Sequence, residues 1–516
     1  MSQRKEIKKD KYQKLFGNYL VPANFLLGFL VAFLGGVFLA SLGKIIFLEL
    51  TLEIVTLFFL GVLFFQEKNK VKLFYLFTLV LGLTLGVIRT NIILSQSHGW
   101  LEGVYHGEGV VVKFSEPKDN YQRVYLKIRG ARKNKKHKII AQKETVIFFA
   151  PLGINYKYGE HYKIKCELKN PKNKYSKFNY QRFLASKKVY QICHKAKIKK
   201  IETKNNLLTQ ININFYQGIY NFSQVIEEKI NYLFPMPESA YLAGLLLGGD
   251  NRLPQRVADD FRRTGTTHTV AVSGSNITII ATGLMMIGLL FGLWRWQAFY
   301  FVLVGIFIFI IMIGSPSSAV RAAIMAVLLL YASQSGRLVN SLRIIILAAA
   351  LMVFVSPFIL LYDVGFQLSF LATLGIVLFY APLAEKFEIK NDFLELKSIF
   401  LVTISAQLGV LGILIYSFDS ISVISLLANV LILPLIPMIM TGGVMAVLAS
   451  FIVSLLGNIL SIPTQMLLHF ELNSIQYLAK IPWAIIKFRE VSIWWPIGYY
   501  FLFLMISLFF KKKIFN

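Results

Sequence analysis

The stretch THTVAVSGSNI, residues 267–277, places His268, Ser273 and Asn276 at the head of a long apolar run. Histidine near serine suggests a general base and a nucleophile. Five residues apart on a helix, however, the pair is offset by more than a full turn, and no acid is fixed by the sequence to orient the histidine. The other chemistry open to these side chains is hydrogen bonding, either to a ligand or between packed helices. Gly274, between Ser273 and Ser275, allows a local helix break, which a membrane protein tolerates where backbone lines a cavity or is buried in protein.

Two further segments carry polar groups into apolar surroundings. In GSPSSAVRAAIMAVLLL, residues 314–330, Ser317 or Ser318 suits a helix N-cap and would put Arg321 in the first turn. A cation there opposes the helix dipole, so something negative is expected to face it: a phosphate, or an internal partner such as Asp363. A snorkelling Arg321 at the membrane interface is the third reading. In LYDVGFQLSFLATLG, residues 361–375, Asp363 and Gln367 are further candidates. The charged segment GGDNRLPQRVADDFRRTG, residues 248–265, supplies Asp250 and Arg252 directly before His268.

The elements that must position these groups are membrane helices. Of 516 residues, 55% are hydrophobic and 16% charged, more apolar than a soluble chain. Runs long enough to span are expected at 25–43, 52–65, 71–94, 269–293, 297–313, 319–335, 344–360, 366–383, 400–416, 421–439, 441–456 and 493–510. The region 460–488, interrupted by His469, Glu471, prolines and lysines, is expected to hold interfacial or half-spanning helices. The first run follows a long basic N-terminus with no small-residue cleavage site, and it reads as a retained helix.

From His98 to Lys204 the pattern switches to period-two alternation, in GEGVVVKF, YQRVYLKIRG, KHKIIAQKETVIFFA, EHYKIKCEL and KVYQICHKAKIKKI. Five strands of this kind suit a barrel of the OB type. The segment holds 26 lysines and arginines against 8 acids, more than half of the chain's net charge of +28. Arg123, Tyr125, Lys127 and Arg129 make its second strand basic and aromatic, and Tyr121, Phe148 and Tyr190 add rings that could stack bases or fill the barrel. Cys166 and Cys193 fall on separate strands and form a disulfide candidate, with two free thiols as the alternative.

The expected organisation is a basic N-terminus with three transmembrane helices (1–94), an OB-like β domain (95–205), an amphipathic helix with a polar connection (206–267), a multi-helix membrane domain (268–510) and a basic tail (511–516). The fold class is thus an α-helical polytopic membrane protein with an inserted all-β OB-like extracytoplasmic domain. Basic short loops at the N-terminus, 66–72, 336–343, 385–397 and the tail orient the chain with its N-terminus in the cytoplasm and the β domain outside. His268, Arg321 and Asp363 then all begin helices at the outer face.

At these residues the chain resembles the ComEC-type competence proteins, the family thought to form the inner-membrane channel for DNA uptake in transformation. The likeness rests on AGLLLGGDNRL, FRRTGTTHTVAVSGSNI, SPSSAVRAAIMA, DVGFQLSFLATLGI, AQLGVLGIL and NVLILPLIPM in that order, and on NPKNKYSKFNYQRFLASKKV in the β domain. The resemblance implies a channel passing single-stranded DNA across the cell membrane, the β domain collecting it. Its path would be lined by His268, Ser273, Asn276, Arg321, Gln367 and Arg252, with Asp250 and Asp363 orienting the arginines. Many members have a histidine where Asn276 stands, which makes hydrogen bonding rather than catalysis the expected role. Many also carry a C-terminal metallo-β-lactamase-like domain that is not expected here, since the chain shows no H-x-H pair, histidine–aspartate metal cluster or P-loop. No catalytic residue, metal or cofactor is therefore expected. Partner chains would supply a DNA receptor, helicase or nuclease, and membrane lipids surround the helices. A transporter of another polyanionic or lipid-linked solute is the alternative.

Overall fold

The computed structural model describes residues 22–42, 56, 70–96, 102–117, 121–133, 139–140, 144–173, 177–203, 206–249, 252–270, 272–334, 340–387 and 396–515. The expected span at 52–65 and the side chain of Asp250 lie outside them. Two helices open the chain, α1 (Pro22–Leu42) and α2 (Lys70–Gln96). Five long strands follow among the described residues: β1 (Gly103–Val111), β2 (Gln122–Lys133), β3 (Glu144–Ala150), β4 (His161–Lys169) and β5 (Val189–Ile201), with the short helix α3 (Tyr180–Ser186) between the last two and two-residue strands at Glu116–Pro117 and Ile139–Ile140. The helical part continues with α4 (Leu207–Leu233), α5 (Glu238–Leu247), α6 (Gln255–Arg263), α7 (Thr267–Val270), α8 (Gly274–Leu290), α9 (Arg295–Met312) and α10 (Ser317–Gln334). Then come α11 (Ser341–Val355), α12 (Ile359–Tyr362), α13 (Val364–Lys386), α14 (Leu396–Phe418), α15 (Ser425–Ile432), α16 (Ile436–Ile452), α17 (Ser454–Ala479) and α18 (Trp494–Phe515).

Among the described residues six segments are long and apolar enough to cross a membrane: α1, α2, the α7–α8 segment, α9, α13 and α14. A seventh is added if α15 and α16, bent by 43° at a short break, count as one span. The protein is thus a multi-pass helical membrane protein with an inserted β domain. Two expected elements are corrected. The runs at 421–439 and 441–456 form the bent pair, because Pro434 and Pro437 each lack a backbone N–H at the break. The run at 344–360 is broken at Ser356–Pro357 into α11 and α12. The region 460–488, outside the expected spans, holds most of the 26-residue helix α17, which runs through Pro463, packs along α16 and is not among the segments that qualify as spans.

The chain divides into two compact units. The first comprises residues 1–101, 170–190 and 339–367. In it α1 and α2 meet so closely that a Cβ on Gly36 would stand 2.1 Å from the Leu83 carbonyl oxygen, the small-residue contact that holds helices together without a hydrophobic drive. Arg182 of α3 donates to the Ser41 carbonyl at 2.6 Å and to the Tyr362 hydroxyl, and Ser356 donates to the Ser186 carbonyl at 2.8 Å. The NYQRFLAS segment, which interrupts the β domain in sequence, is thereby fastened among the helices of this unit.

The second unit holds residues 102–169, 191–338 and 368–516. Its barrel runs β1-β2-β3-β5-β4 and closes back on β1. The β1–β2, β1–β4, β2–β3 and β4–β5 pairs are antiparallel. Period-two alternation sends Val124, Leu126, Ile128, Val146, Phe148, Ile164 and Leu168 inward, each at most 3% exposed. Helix α4 is fastened to this barrel at one end: Tyr216 stacks on Tyr158 at 4.5 Å, Tyr220 on Phe114 at 4.8 Å, and Gln217 donates to the Tyr158 carbonyl at 2.8 Å. At its other end Ile230 and Leu233 enter the main helical core with α5, Phe261 of α6, Ala428 and Ile432 of α15, and Leu468 and Ile475 of α17. The expected amphipathic helix is therefore a strut held by protein at two places along its length, while Leu207, Leu208, Ile211 and Phe222 stay exposed.

Candidate functional site

The turn that carries His268 is built from threonine hydroxyls. Thr264 donates to the Asp260 carbonyl at 3.0 Å and shares a 2.8 Å hydrogen bond with Thr266, while Thr269 donates to the Thr266 carbonyl at 2.8 Å. All three threonines are at most 2% exposed. Gly265 turns the chain with φ +70° and lies against Ser422 and Ser425. Ser422 in turn donates to the Arg263 carbonyl at 2.8 Å. This frame leaves His268 exposed, with its ring against the Gly265 backbone.

After α7 the backbone leaves the helix, and it resumes helical form at Gly274 with Ser273 as the N-cap. Three polar side chains organise the break. Ser273 donates to the Asn276 side-chain oxygen at 2.9 Å and shares a 2.6 Å hydrogen bond with Ser275. The Asn276 amide donates to the Leu245 carbonyl at 3.3 Å. Asn276 is 1% exposed, so it ties the break to α5 instead of lining a surface. Ser273 makes no capping hydrogen bond with its side chain, and the first amides of a helix have no partner within it. The α8 N-terminus therefore carries partial positive charge next to exposed Ser275 and half-exposed Ser273.

Arg321 sits beside that terminus. Its Nη2 lies 3.9 Å from the position a Cβ on Gly274 would take. The other amino group, Nη1, donates to the Ser369 carbonyl and, at 2.9 Å, to the Thr373 hydroxyl, and the guanidinium lies 5.8 Å from the Phe370 ring centroid. No carboxylate pairs with it among the described residues, and its Nε has no hydrogen-bond partner. One expectation needs correcting: α10 begins at Ser317, which makes Arg321 its fifth residue and not part of the first turn. Ser318 does not cap its own helix; it donates to the Val272 carbonyl at 3.0 Å and binds α10 to the break. Helix α13, which supplies Ser369 and Thr373, is held in turn by α14. A Cβ on Gly375 would stand 2.3 Å from the Ser405 oxygen, and one on Gly409 2.1 Å from the Leu371 oxygen. The LATLG and AQLGVLG segments meet at this crossing.

The remaining candidates fall elsewhere. Asp363 and Gln367 belong to the first unit, where Asp363 accepts from the Phe366 N–H at 3.1 Å and Gln367 donates to the Leu360 carbonyl at 3.0 Å. Asp363 is thus an N-terminal cap for α13. Arg252 pairs with Glu227 of α4 at 2.5 Å.

In the barrel, Tyr125 is 2% and Phe148 1% exposed, so neither ring is open to stacking. The Tyr125 hydroxyl binds Glu116 at 3.1 Å under the Lys113 ammonium. Arg123 pairs with Glu116 at 4.0 Å and Lys127 is half-buried on the same strand. Arg129 takes a register position opposite Glu108. Tyr121 and Phe149, 36% and 40% exposed, form an edge-on pair at 5.2 Å on the barrel surface; Phe149 was not singled out by sequence, though it alternates with Phe148.

Cys166 and Cys193 are neighbouring free thiols, both buried in the barrel wall. They replace the expected disulfide: a hydrogen bond between them, followed by burial, pushes the Cys193 thiol pKa up, which disfavours its reactive thiolate. At the barrel end, burial opposes the charge of Glu160, but hydrogen bonds from Lys200, Tyr162 and the Lys157 N–H outweigh it and hold the carboxyl below its usual range. Burial and that same bond raise Tyr162.

ComE operon protein 3 of Bacillus subtilis (strain 168) is 27% identical over 233 residues, 45% of this chain and 29% of that protein's length. No solved structure matches the chain. A family model described as "Competence protein" matches residues 245–513, just over half of the sequence and the whole of α6 through α17. This polytopic chain, with its threonine-built turn, broken helix and unpaired arginine, belongs to the competence protein family.

Proposed function

We propose that the protein is the membrane conduit through which a single DNA strand enters a competent bacterium. The observation that carries this reading is Arg321, a guanidinium with no carboxylate partner among the described residues, set against the N-terminus of α8. Arginine and helix N-termini both favour phosphate, so the two together form an anion-tolerant point on a path. Ser275 lies in the first turn of α8, His268 precedes the break in the chain, and both are exposed and can hydrogen-bond a passing strand. Membership of the competence family supports DNA as the cargo, competence being the state in which bacteria take DNA up.

The barrel domain lies outside the cytoplasm in this reading, gathering the polyanion through its lysines and arginines and stacking bases on Tyr121 and Phe149. The N-terminus is cytoplasmic, and partner chains provide the receptor, helicase or nuclease. The conduit performs no chemistry. Ser273, the one nucleophile candidate near His268, is engaged with Asn276 and Ser275 and has no hydrogen bond to the histidine.

The test is uptake of labelled DNA into the cytosol. Arg321→Ala abolishes uptake while the protein still reaches the membrane at its normal level, and Arg321→Lys, which keeps the charge but not the fork, retains part of it. Normal uptake with Arg321→Ala refutes the anion-site reading. Normal uptake in a strain lacking the whole protein points to another polyanionic or lipid-linked cargo.

A further inference from the structure

The helical core contains a carboxyl group for which a DNA path has no use. Glu471 of α17 is 0% exposed, and neither of its side-chain oxygens has a hydrogen-bond partner. Its neighbours on the helix, Leu468, Leu472 and Ile475, belong to the main apolar core. Helices α4, α5, α6, α15 and α16 pack against α17, and their charged groups are engaged or turned away. Glu238 of α5 binds His469 at 3.0 Å. On α4, Glu227 pairs with Arg252, Lys229 lies over the Tyr232 and Phe451 rings, and Glu228 is exposed. On α6, Arg262 pairs with Asp259, and Asp260 lies among Arg256, Arg263 and Lys480. Helices α15 and α16 carry no charged residue.

One titratable group does face Glu471. It is Tyr241 of α5, also 0% exposed, whose hydroxyl lies toward both Glu471 and Thr269 without a well-directed hydrogen bond to either. Thr269 follows His268 in the turn at the entrance. An ionised carboxylate isolated in an apolar core is costly, and it is relieved by taking up a proton or a cation. Unpaired ionisable groups inside membrane proteins characteristically serve as such sites.

We propose that Glu471 is a proton-binding site whose occupancy is passed through Tyr241 to the Thr267–Val270 turn. When Glu471 is ionised, the Tyr241 hydroxyl donates to it. When Glu471 takes up a proton, its O–H donates to the tyrosine oxygen, and the tyrosine hydrogen turns to the Thr269 hydroxyl oxygen, which can accept while still donating to the Thr266 carbonyl. One proton is gained or lost and no covalent bond between heavy atoms changes. The position of the turn that presents His268 then follows the charge of Glu471, whatever the entrance carries.

The experiment uses the full-length protein in lipid nanodiscs without DNA. Infrared difference spectra across pH should show a protonated-carboxyl band that titrates, shifts in deuterium oxide and is missing from Glu471→Gln. Hydrogen exchange in residues 267–276, corrected for intrinsic rates, should follow the same titration in the native protein. In Glu471→Gln, a neutral isostere, it should stay at the acid-side value at every pH. Tyr241→Phe keeps the ring in its pocket and should leave the band titrating while exchange in the turn no longer responds. Three results would overturn the proposal: no Glu471-dependent band, a titration that follows sodium concentration instead of pH, or turn exchange that follows pH equally in native protein and Tyr241→Phe.

Discussion

Replacing Gly265 by alanine measures how firmly the turn under His268 is held. Two separable costs arise. The first is conformational: φ is +70°, and a side chain in the left-handed region costs about 1–2 kcal/mol, offset by about 0.4–1 kcal/mol from the stiffer unfolded chain. The second is steric: the new Cβ would stand 2.7 Å from Ser425 Cβ and 2.9 Å from Ser422 Cβ, and overpacking of this kind costs about 1–3 kcal/mol. Together they destabilise the native state by about 3 kcal/mol, taking the middle of each range. Gly314 provides the control, with φ +79° and nothing within 4 Å of its would-be Cβ. Gly314→Ala bears the conformational cost alone, about 1 kcal/mol. Denaturant unfolding of the purified protein in lipid–detergent micelles, followed by tryptophan emission, yields both values. A difference between the two variants of less than about 0.5 kcal/mol would mean that the Ser422–Ser425 wall does not hold the turn, because the steric part predicts about 2.

Other outcomes follow from the same geometry. Gly409→Val drives a side chain into the Leu371 carbonyl, parts α13 from α14 and withdraws Ser369 and Thr373 from Arg321; thermal stability and DNA uptake should fall together, and a loss of neither refutes the crossing. Glu160 is held below its ordinary pKa of 4.5, so its contribution to stability is present above that pH and is lost as pH falls through the lower folded value. Hydrogen exchange in β4 should accelerate on acidification below about pH 4.5, and Glu160→Gln should flatten that dependence. Buried as free thiols, Cys166 and Cys193 should resist alkylation in the native protein and label fully on unfolding without reductant; prompt native labelling, or none after unfolding, contradicts the free-thiol state. If the barrel's basic face binds single-stranded DNA, removing one phosphate contact by Lys127→Ala should lower the slope of log affinity against log salt by about 0.7, measured on the full chain by fluorescence anisotropy.

The strands were legible because alternation is a local signal: all five quoted segments coincide with β1 to β5. The same alternation explains one misread ring, since Phe148 falls on the inward phase while Phe149 falls outward; Tyr125 alternates with inward Val124 and Leu126 and is buried on the other face, where its hydroxyl binds Glu116. In the membrane domain the break at 272–273 was visible from Ser273, Gly274 and Ser275. What Asn276 does there was not, because its partner is a carbonyl 31 residues away. Arg321 could be flagged as a cation needing something negative, but its neutral partners on α13 lie 48 and 52 residues further on. Helix α17 is not among the segments long and apolar enough to span, but its continuity was not legible because Pro463, His469 and Glu471 look like interruptions. Nothing in the local pattern distinguishes Glu471 from a solvated glutamate; only the fold removes its partners.

The last strand of the barrel, β5, lies between β3 and β4, and the ring is sealed on its other side where β1 meets both β2 and β4. A chain synthesised only as far as residue 186 therefore leaves β3 and β4 with bare edges, the form of sheet most prone to pairing with a neighbouring molecule. Insertion into the membrane and completion of the ring are for this reason bound in time: the early helices can be in place long before residue 201 arrives, and until it does the domain between them is an open sheet that a chaperone would have to shield.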